Sequence, residues 1–63
     1  PIWHLVVIQV NGKVRSRIEV DSDADKERIE AEALADERIR RFIGDKPIKR
    51  VIVIQRKLVN VVV

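Results

Sequence analysis

The sequence contains no cysteine, methionine or tyrosine, and it has only one histidine, one tryptophan and one phenylalanine. Without cysteine, neither a disulfide framework nor a thiolate zinc site can hold the fold, so core packing has to be sufficient. His4 stands in an apolar run with no second histidine in the chain. This context predicts a packed side chain and no metal site.

Groups that could perform catalysis are also scarce. The aliphatic hydroxyls belong to Ser16 and Ser22 alone. Glu30 and Glu32 are two positions apart in a helix-forming run, so they point away from each other and do not form an acid–base pair. The segment 11–13 lacks the glycine spacing and the following helix of a phosphate-binding loop. The sequence therefore predicts no active site and no cofactor of its own.

Long apolar runs are absent as well. No run approaches the ~20 residues that span a bilayer, and residues 1 to 10 lack the basic start and cleavage site of a signal peptide. We therefore expect a soluble, cytoplasmic chain that does not bind membranes. Because the chain opens at Pro1 directly into an apolar run, we interpret residues 1–63 as a single domain of a longer protein.

Charges of opposite sign occupy different parts of the sequence. Nine of the ten acidic residues lie between Glu19 and Glu37, where Lys26 and Arg28 are the only cations. The rest of the chain carries eleven Lys and Arg residues against Asp45. This distribution predicts an electrostatically two-sided domain.

The first half of the chain indicates a β-hairpin. Two β-branched runs, 2–10 and 13–20, flank an Asn-Gly pair, which is the strongest short-range hairpin signal. Alternation in the second run predicts that Lys13, Arg15 and Arg17 project from one face of the strand.

The register of this hairpin depends on the length of its loop. A two-residue turn would pair Ile8 with Arg15 and place apolar residues on the charged face. A three-residue loop with a bulge at Gly12 would instead pair Ile8 with Val14. We favour this second register, in which the core face is shared by Val6, Ile8, Val14, Ser16 and Ile18.

Two helices are predicted after this hairpin. Asp25 is the best N-cap candidate for a helix over 26–35, whose thin apolar side is made of Ile29, Ala33 and Leu34. Asp36 is a new N-cap candidate, and it predicts a short helix over 37–43.

The last part of the chain indicates a second hairpin, with residues 55–57 at its tip. Both of its strands are apolar on both faces, which is typical of strands inside a covered sheet. The predicted fold is therefore α+β, in the order ββααββ, with a four-stranded mixed or antiparallel sheet and both helices on one face. The strand order stays open.

Basic residues on the two hairpins give the clearest functional signal. Lys13, Arg15 and Arg17 on one strand, with Arg56 and Lys57 at the second tip, form a candidate surface for phosphates. The alternative is a solubilising surface that protects edge strands. With only Trp3 and Phe42 as aromatic residues, a platform that stacks successive bases is not predicted. Trp3 is expected to cover the end of the sheet.

Four strings along the chain resemble the C-terminal domain of bacterial-type leucyl-tRNA synthetases. They read VIQVNGKVRSRIEV at 7–20, ALADERI at 33–39, KRVIVI at 49–54 and KLVNVVV at 57–63. The resemblance covers essentially the whole chain in the same order. It implies a non-catalytic domain that reaches the corner of leucine-specific tRNA where the D and T loops meet, and so supports aminoacylation and editing. ATP and magnesium would be used by another domain of the synthetase.

The resemblance also assigns residues. The family pattern VNGKxRG falls on 10–16, where Asn11 and Gly12 would shape the turn. The last pattern falls on 57–60, where Asn60 would anchor backbone or touch RNA. The implied tRNA-binding residues are Lys13, Arg15, Arg17, Arg56, Lys57 and Asn60.

Two positions depart from the family pattern. Ser16 stands where the family has glycine, and Gln55-Arg56 replaces the Pro-Gly of the last turn. The rival function is a protein-interaction or structural capping domain that uses a sheet edge or the acidic helix.

Overall fold

A computed structural model describes residues 2–63 of the chain. The elements, in order, are β1 (Trp3–Val10), β2 (Lys13–Asp21), α1 (Lys26–Ala35), α2 (Glu37–Ile43), β3 (Arg50–Ile54) and β4 (Leu58–Val62). The predicted ββααββ order is confirmed. The four strands form one sheet in the order β2-β1-β4-β3. Because β1 pairs with β4 in parallel and the other pairs are antiparallel, the sheet is mixed.

Both helices begin at the predicted caps. The Asp25 carboxylate accepts a hydrogen bond from the Arg28 N–H at 2.9 Å. The Asp36 carboxylate accepts from the N–H groups of Arg38 and Ile39, at 2.8 and 3.2 Å. These bonds satisfy donors that a helix start otherwise leaves unpaired, which is why aspartate favours both positions.

The core lies between the helices and one face of the sheet. Its strand residues are alternate positions of β1 and β4 together with Val20 of β2, so the other face of the sheet is open to solvent, as in many sheets with antiparallel pairs. The buried hydrophobic residues are Val6, Ile8, Val10, Val20, Ala24, Ile29, Ala33, Ile39, Ile43, Val59 and Val61.

The first hairpin closes through a two-residue turn, so the predicted three-residue loop is wrong. Val10 pairs with Lys13, and only Asn11 and Gly12 lie between them. Both residues have left-handed backbone, with φ of 51° and 85°. Two left-handed residues match the right-handed twist of the flanking strands, and Asn-Gly adopts them readily. The backbone preference of Asn-Gly therefore sets the register next to the turn, against the register that the hydrophobic pattern favours.

A β-bulge in β2 restores the pattern further along the strand. Gln9 pairs with Val14, whereas Ile8 pairs with Ser16, so Arg15 is an extra residue. Ser16 consequently faces the core and is 5% exposed, whereas Val14 is 46% exposed. The prediction that Val14 shares the core face is therefore wrong.

The prediction that both strands of the second hairpin lie inside a covered sheet is wrong: β4 is an inner strand, but the helices cover only one face of the sheet. β3 is an edge strand. Val51 and Val53 pack against the core from one side of it, whereas Ile54 is 47% exposed on the open side. A strand that is apolar on both faces therefore occupies an edge here, and it leaves the apolar side chain of Ile54 exposed to solvent.

Candidate nucleic-acid interface

The bulge divides the first basic group between the two faces of the sheet. Lys13 pairs with the core-facing Val10 and so lies on the helix side. The Arg15 guanidinium carbon lies 4.6 Å from the centroid of the Phe42 ring, which belongs to α2. Arg17 lies on the open face, beyond the bulge. The expectation that these three cations share one face is therefore wrong.

A small cleft lies between the first turn, α2 and the end of β4. We call it the turn cleft. Its volume is about 230 Å³, and its walls include Lys13, Arg15, Phe42 and Lys46, with Val63 at one side. No Asp or Glu side chain lines it. No pattern in the sequence predicts Phe42 at this cleft, because nothing in the spacing links it to Arg15, 27 positions earlier in the chain.

The second basic group lies at the β3–β4 turn. Arg56 and Lys57 occupy this turn, and the Lys57 carbonyl accepts a hydrogen bond from the Val7 N–H at 2.9 Å. The tip therefore docks beside the middle of β1. Leu58 pairs with Val7, so Lys57 lies level with Val6, four residues from Val10. This is roughly 13 Å along the strand at about 3.3 Å per residue. The chain thus presents two separate basic groups, the turn cleft and the tip.

Two asparagine side chains join the first turn to β4. The Gly12 N–H donates to Asn60 Oδ1 at 3.0 Å, and the Val63 N–H donates to Asn11 Oδ1 at 3.0 Å. The Asn11 N–H also donates to the Val61 carbonyl at 2.9 Å. We call this set of bonds the asparagine clasp. Of the two roles left open for Asn60, the structure shows the anchoring of backbone.

The cations of the turn cleft and of the tip form no ion pairs within residues 2–63. Within residues 2–63 the one ion pair joins Arg28 Nε and Glu32 Oε2 at 3.8 Å, on the exposed side of α1. The cations of the turn cleft and the tip therefore have no carboxylate partner in the part that the structure describes. Their potential remains available to an external anion.

Residues 2–63 contain neither a cluster of metal ligands nor a membrane-spanning helix. The part of the chain that the structure describes holds no group of three His, Asp or Glu side chains placed to bind a metal ion. The buried Nε2 atom of His4 has no hydrogen-bond partner there. Neither helix is long and apolar enough to cross a bilayer.

Curated proteins with similar sequences belong to one family of enzymes. Over 59 residues, 94% of the chain, it is 58% identical to the leucine–tRNA ligase of Desulfatibacillum aliphaticivorans. This chain is homologous to a segment of leucine–tRNA ligases. It is also 54% identical, over the same length, to the ligase of Syntrophobacter fumaroxidans. The predicted resemblance to the C-terminal domain of leucyl-tRNA synthetases is confirmed. The chain spans 7% of the length of either relative.

A solved structure shows the same fold. The leucyl-tRNA synthetase of Agrobacterium radiobacter K84, in a ternary complex with tRNA and LeuAMS, matches 95% of this chain with a TM-score of 0.88. The identity is 22%, and the match covers 8% of that protein. No family model matches the chain.

Proposed function

We propose that this chain is a non-catalytic domain of a leucyl-tRNA synthetase and that it binds leucine-specific tRNA at the corner formed by the D and T loops. The observation that carries the proposal is the pair of un-neutralised basic groups on a domain homologous to part of a tRNA ligase. Exposed cations without carboxylate partners are the electrostatic footprint of a phosphate-binding surface.

The proposed contacts come from both basic groups. Because β2 is an edge strand, an RNA backbone that follows this edge reaches Lys13 and Arg15 on one side and Arg17 on the other. Arg56 and Lys57 contact RNA from the tip. Asn60 contributes by holding the turn that carries Lys13, since its Oδ1 already accepts from Gly12.

The separation of the two groups favours a folded RNA. The turn cleft and the tip are roughly 13 Å apart along the sheet and lie on different strands. A straight backbone along the β2 edge passes the cations of that strand but not the tip, which lies at β4, two strands away. A bent corner presents phosphates in several directions, so the domain reads the shape of the RNA more than its sequence.

In the parent enzyme the domain supports aminoacylation and editing without performing either. Residues 1–63 act as one domain, and the rest of the synthetase chain is its tethered partner in the cytoplasm. ATP and magnesium belong to the catalytic domain of the parent. Tethering raises the effective concentration of the domain at the tRNA corner.

The first test is a titration of the chain with leucine-specific tRNA, an unrelated tRNA and a plain RNA duplex. Three to five phosphate contacts predict that the logarithm of the affinity falls with the logarithm of salt concentration with a slope of about −2 to −4. We expect salt-sensitive binding of both tRNAs and weaker binding of the duplex. Equal affinity for all three would contradict the reading of shape.

A triple variant tests the contact residues. Replacing Lys13, Arg15 and Lys57 by alanine should leave the fold intact and reduce the magnitude of the salt slope by about 2 to 3. The matched control removes the same charge from Lys26, Arg28 and Arg38. If both variants weaken binding equally, net charge and not position is responsible. Loss of the folded circular dichroism spectrum in the first variant would show that these residues are structural.

A protein-interaction function remains a second candidate because one sheet face is uncovered. Trp3, Leu5 and Ile54 are 55%, 51% and 47% exposed on that face. Trp3 therefore covers less of the sheet end than the sequence suggests. A partner bound to an apolar face predicts affinity that changes little between low and high salt. The salt titration separates the two functions.

A further inference from the structure

We propose that the turn cleft is a subsite for one RNA nucleotide, in which Lys13, Lys46 and Arg15 bind the phosphate and the Phe42 ring packs on the adjacent sugar or base. The inference rests on the proposed function and adds to it two residues, Phe42 and Lys46, from outside the hairpins. It also names the chemical group that each one binds.

The positive charge of the cleft supports the phosphate half of the subsite. Three cations from two parts of the chain, β2 and the segment after α2, converge on about 230 Å³, and no acidic side chain lines the same space. Each of the three is exposed, so binding an anion requires no opening of the fold. Their exposed ion pairs with phosphate are charge-assisted hydrogen bonds, which are the stronger kind.

The position of Phe42 supports the nucleoside half. Its side chain belongs to α2, yet the residue is 45% exposed and does not belong to the core. Arg15 covers part of the ring through a cation–π contact at 4.6 Å. This contact holds the guanidinium at the cleft. The rest of the ring offers an apolar surface beside three cations, the combination that nucleotide-binding proteins use.

The bulge limits the cleft to two cations of β2. Lys13 pairs with the core-facing Val10, so without an extra residue Arg15 and Arg17 would both follow it on the helix side. With the extra residue, Arg15 stays on the helix side over Phe42, whereas Arg17 lies on the open face. The small Ser16 then occupies the position opposite Ile8 that Arg15 would otherwise take.

The other clefts of the described chain fit a nucleotide less well. One of about 400 Å³ is lined by Glu19, Glu32 and Asp36, which repel phosphate. Another of about 440 Å³ contains Arg40 and Arg41, which lie in the last turn of α2. Cations in that position already have a structural role, because they complement the negative end of the helix.

The test titrates the 63-residue chain with leucine-specific tRNA and, separately, with inorganic polyphosphate, after circular dichroism has shown that each variant is folded. Lys46→Ala should reduce the magnitude of the salt slope for tRNA by about 1, and its control Lys26→Ala should not. Phe42→Leu should weaken tRNA binding about fivefold or more and leave polyphosphate binding unchanged. Its control, Trp3→Leu, removes an exposed aromatic ring from the open face.

The possible outcomes test the nucleotide subsite and the proposed function separately. If both variants behave like their controls while the wild-type chain binds tRNA, the subsite is wrong and the proposed function stands. An effect of Lys46→Ala without an effect of Phe42→Leu removes the nucleoside half. A wild-type chain that binds no tRNA at low salt overturns the proposed function together with the subsite.

Discussion

The two hairpins solve the same geometric problem with different residues. Both turns use two consecutive left-handed residues: φ is 51° and 85° at Asn11 and Gly12, and 50° and 55° at Gln55 and Arg56. Asparagine and glycine adopt this conformation at little cost, whereas a residue such as glutamine pays roughly 1–2 kcal/mol. The first turn is therefore relaxed, and the second is strained.

The two turns also differ in how they are held. The first is fixed to β4 by the asparagine clasp, through two side chains and one backbone bond. The second docks through a backbone bond between Val7 and Lys57. A relaxed and anchored turn suits a binding cleft of defined shape, because ordering it on binding costs little entropy. A strained tip without such a clasp suits cations that adapt to a bound backbone.

The largest predicted effect comes from breaking the contact that joins the hairpins. Ile8 of β1 pairs with Val59 of β4, and both are fully buried. Ile8→Ala should lower the free energy of unfolding by about 2–5 kcal/mol through lost burial and a cavity. In a urea titration, Trp3 fluorescence and the backbone NMR signals of β3 should change together. Ile54→Ala is the exposed control, and two separate transitions would show that the hairpins are independent units.

A smaller effect is expected from opening the clasp. Asn60→Ala removes the acceptor of the Gly12 N–H, so the free energy of unfolding should fall by about 1 kcal/mol. The salt slope of tRNA binding should not change, because no cation is lost. Urea unfolding and the tRNA titration measure the two quantities on one sample. Weaker tRNA binding at every salt concentration, with unchanged stability, would mean that Asn60 acts on RNA directly.

The smallest effect tests the strain in the second turn. Gln55→Gly should raise the free energy of unfolding by roughly 0.5–1 kcal/mol, since relief of the left-handed conformation exceeds the added entropy of the unfolded chain. The opposite is expected of Gly12→Ala at φ 85°. Thermal unfolding of both variants measures the contrast. A destabilised Gln55→Gly variant would show that the second turn is not strained.

Local signals in the sequence were sufficient for the elements and their caps. Asp25 and Asp36 cap their helices with their own side chains, and the bounds of α1 and α2 agree with the prediction. Such signals act over three or four residues, so they can be read without knowledge of the tertiary fold. The candidate cations were chosen in the same way, as residues of the two hairpins.

The geometry of the candidate site could not be predicted in this way. Val14 and Ser16 are both expected on the core face, yet only Ser16 lies there, where its hydroxyl donates to Asp36 at 3.1 Å. That bond joins residues 20 positions apart. A pattern of period two carries no information about a bulge, because one extra residue reverses every later side chain.

The sequence by itself determined the order of the elements, the helix caps, the position of the Asn-Gly turn and the separation of the two charge signs along the chain. Each of these depends on neighbouring residues or on composition. Only the tertiary structure decided that β1 and β4 pair in parallel, that Arg15 turns toward Phe42, and that Lys46 joins them at one cleft. Those contacts depend on which distant surfaces bury apolar area together, and the packing of the whole chain sets that choice.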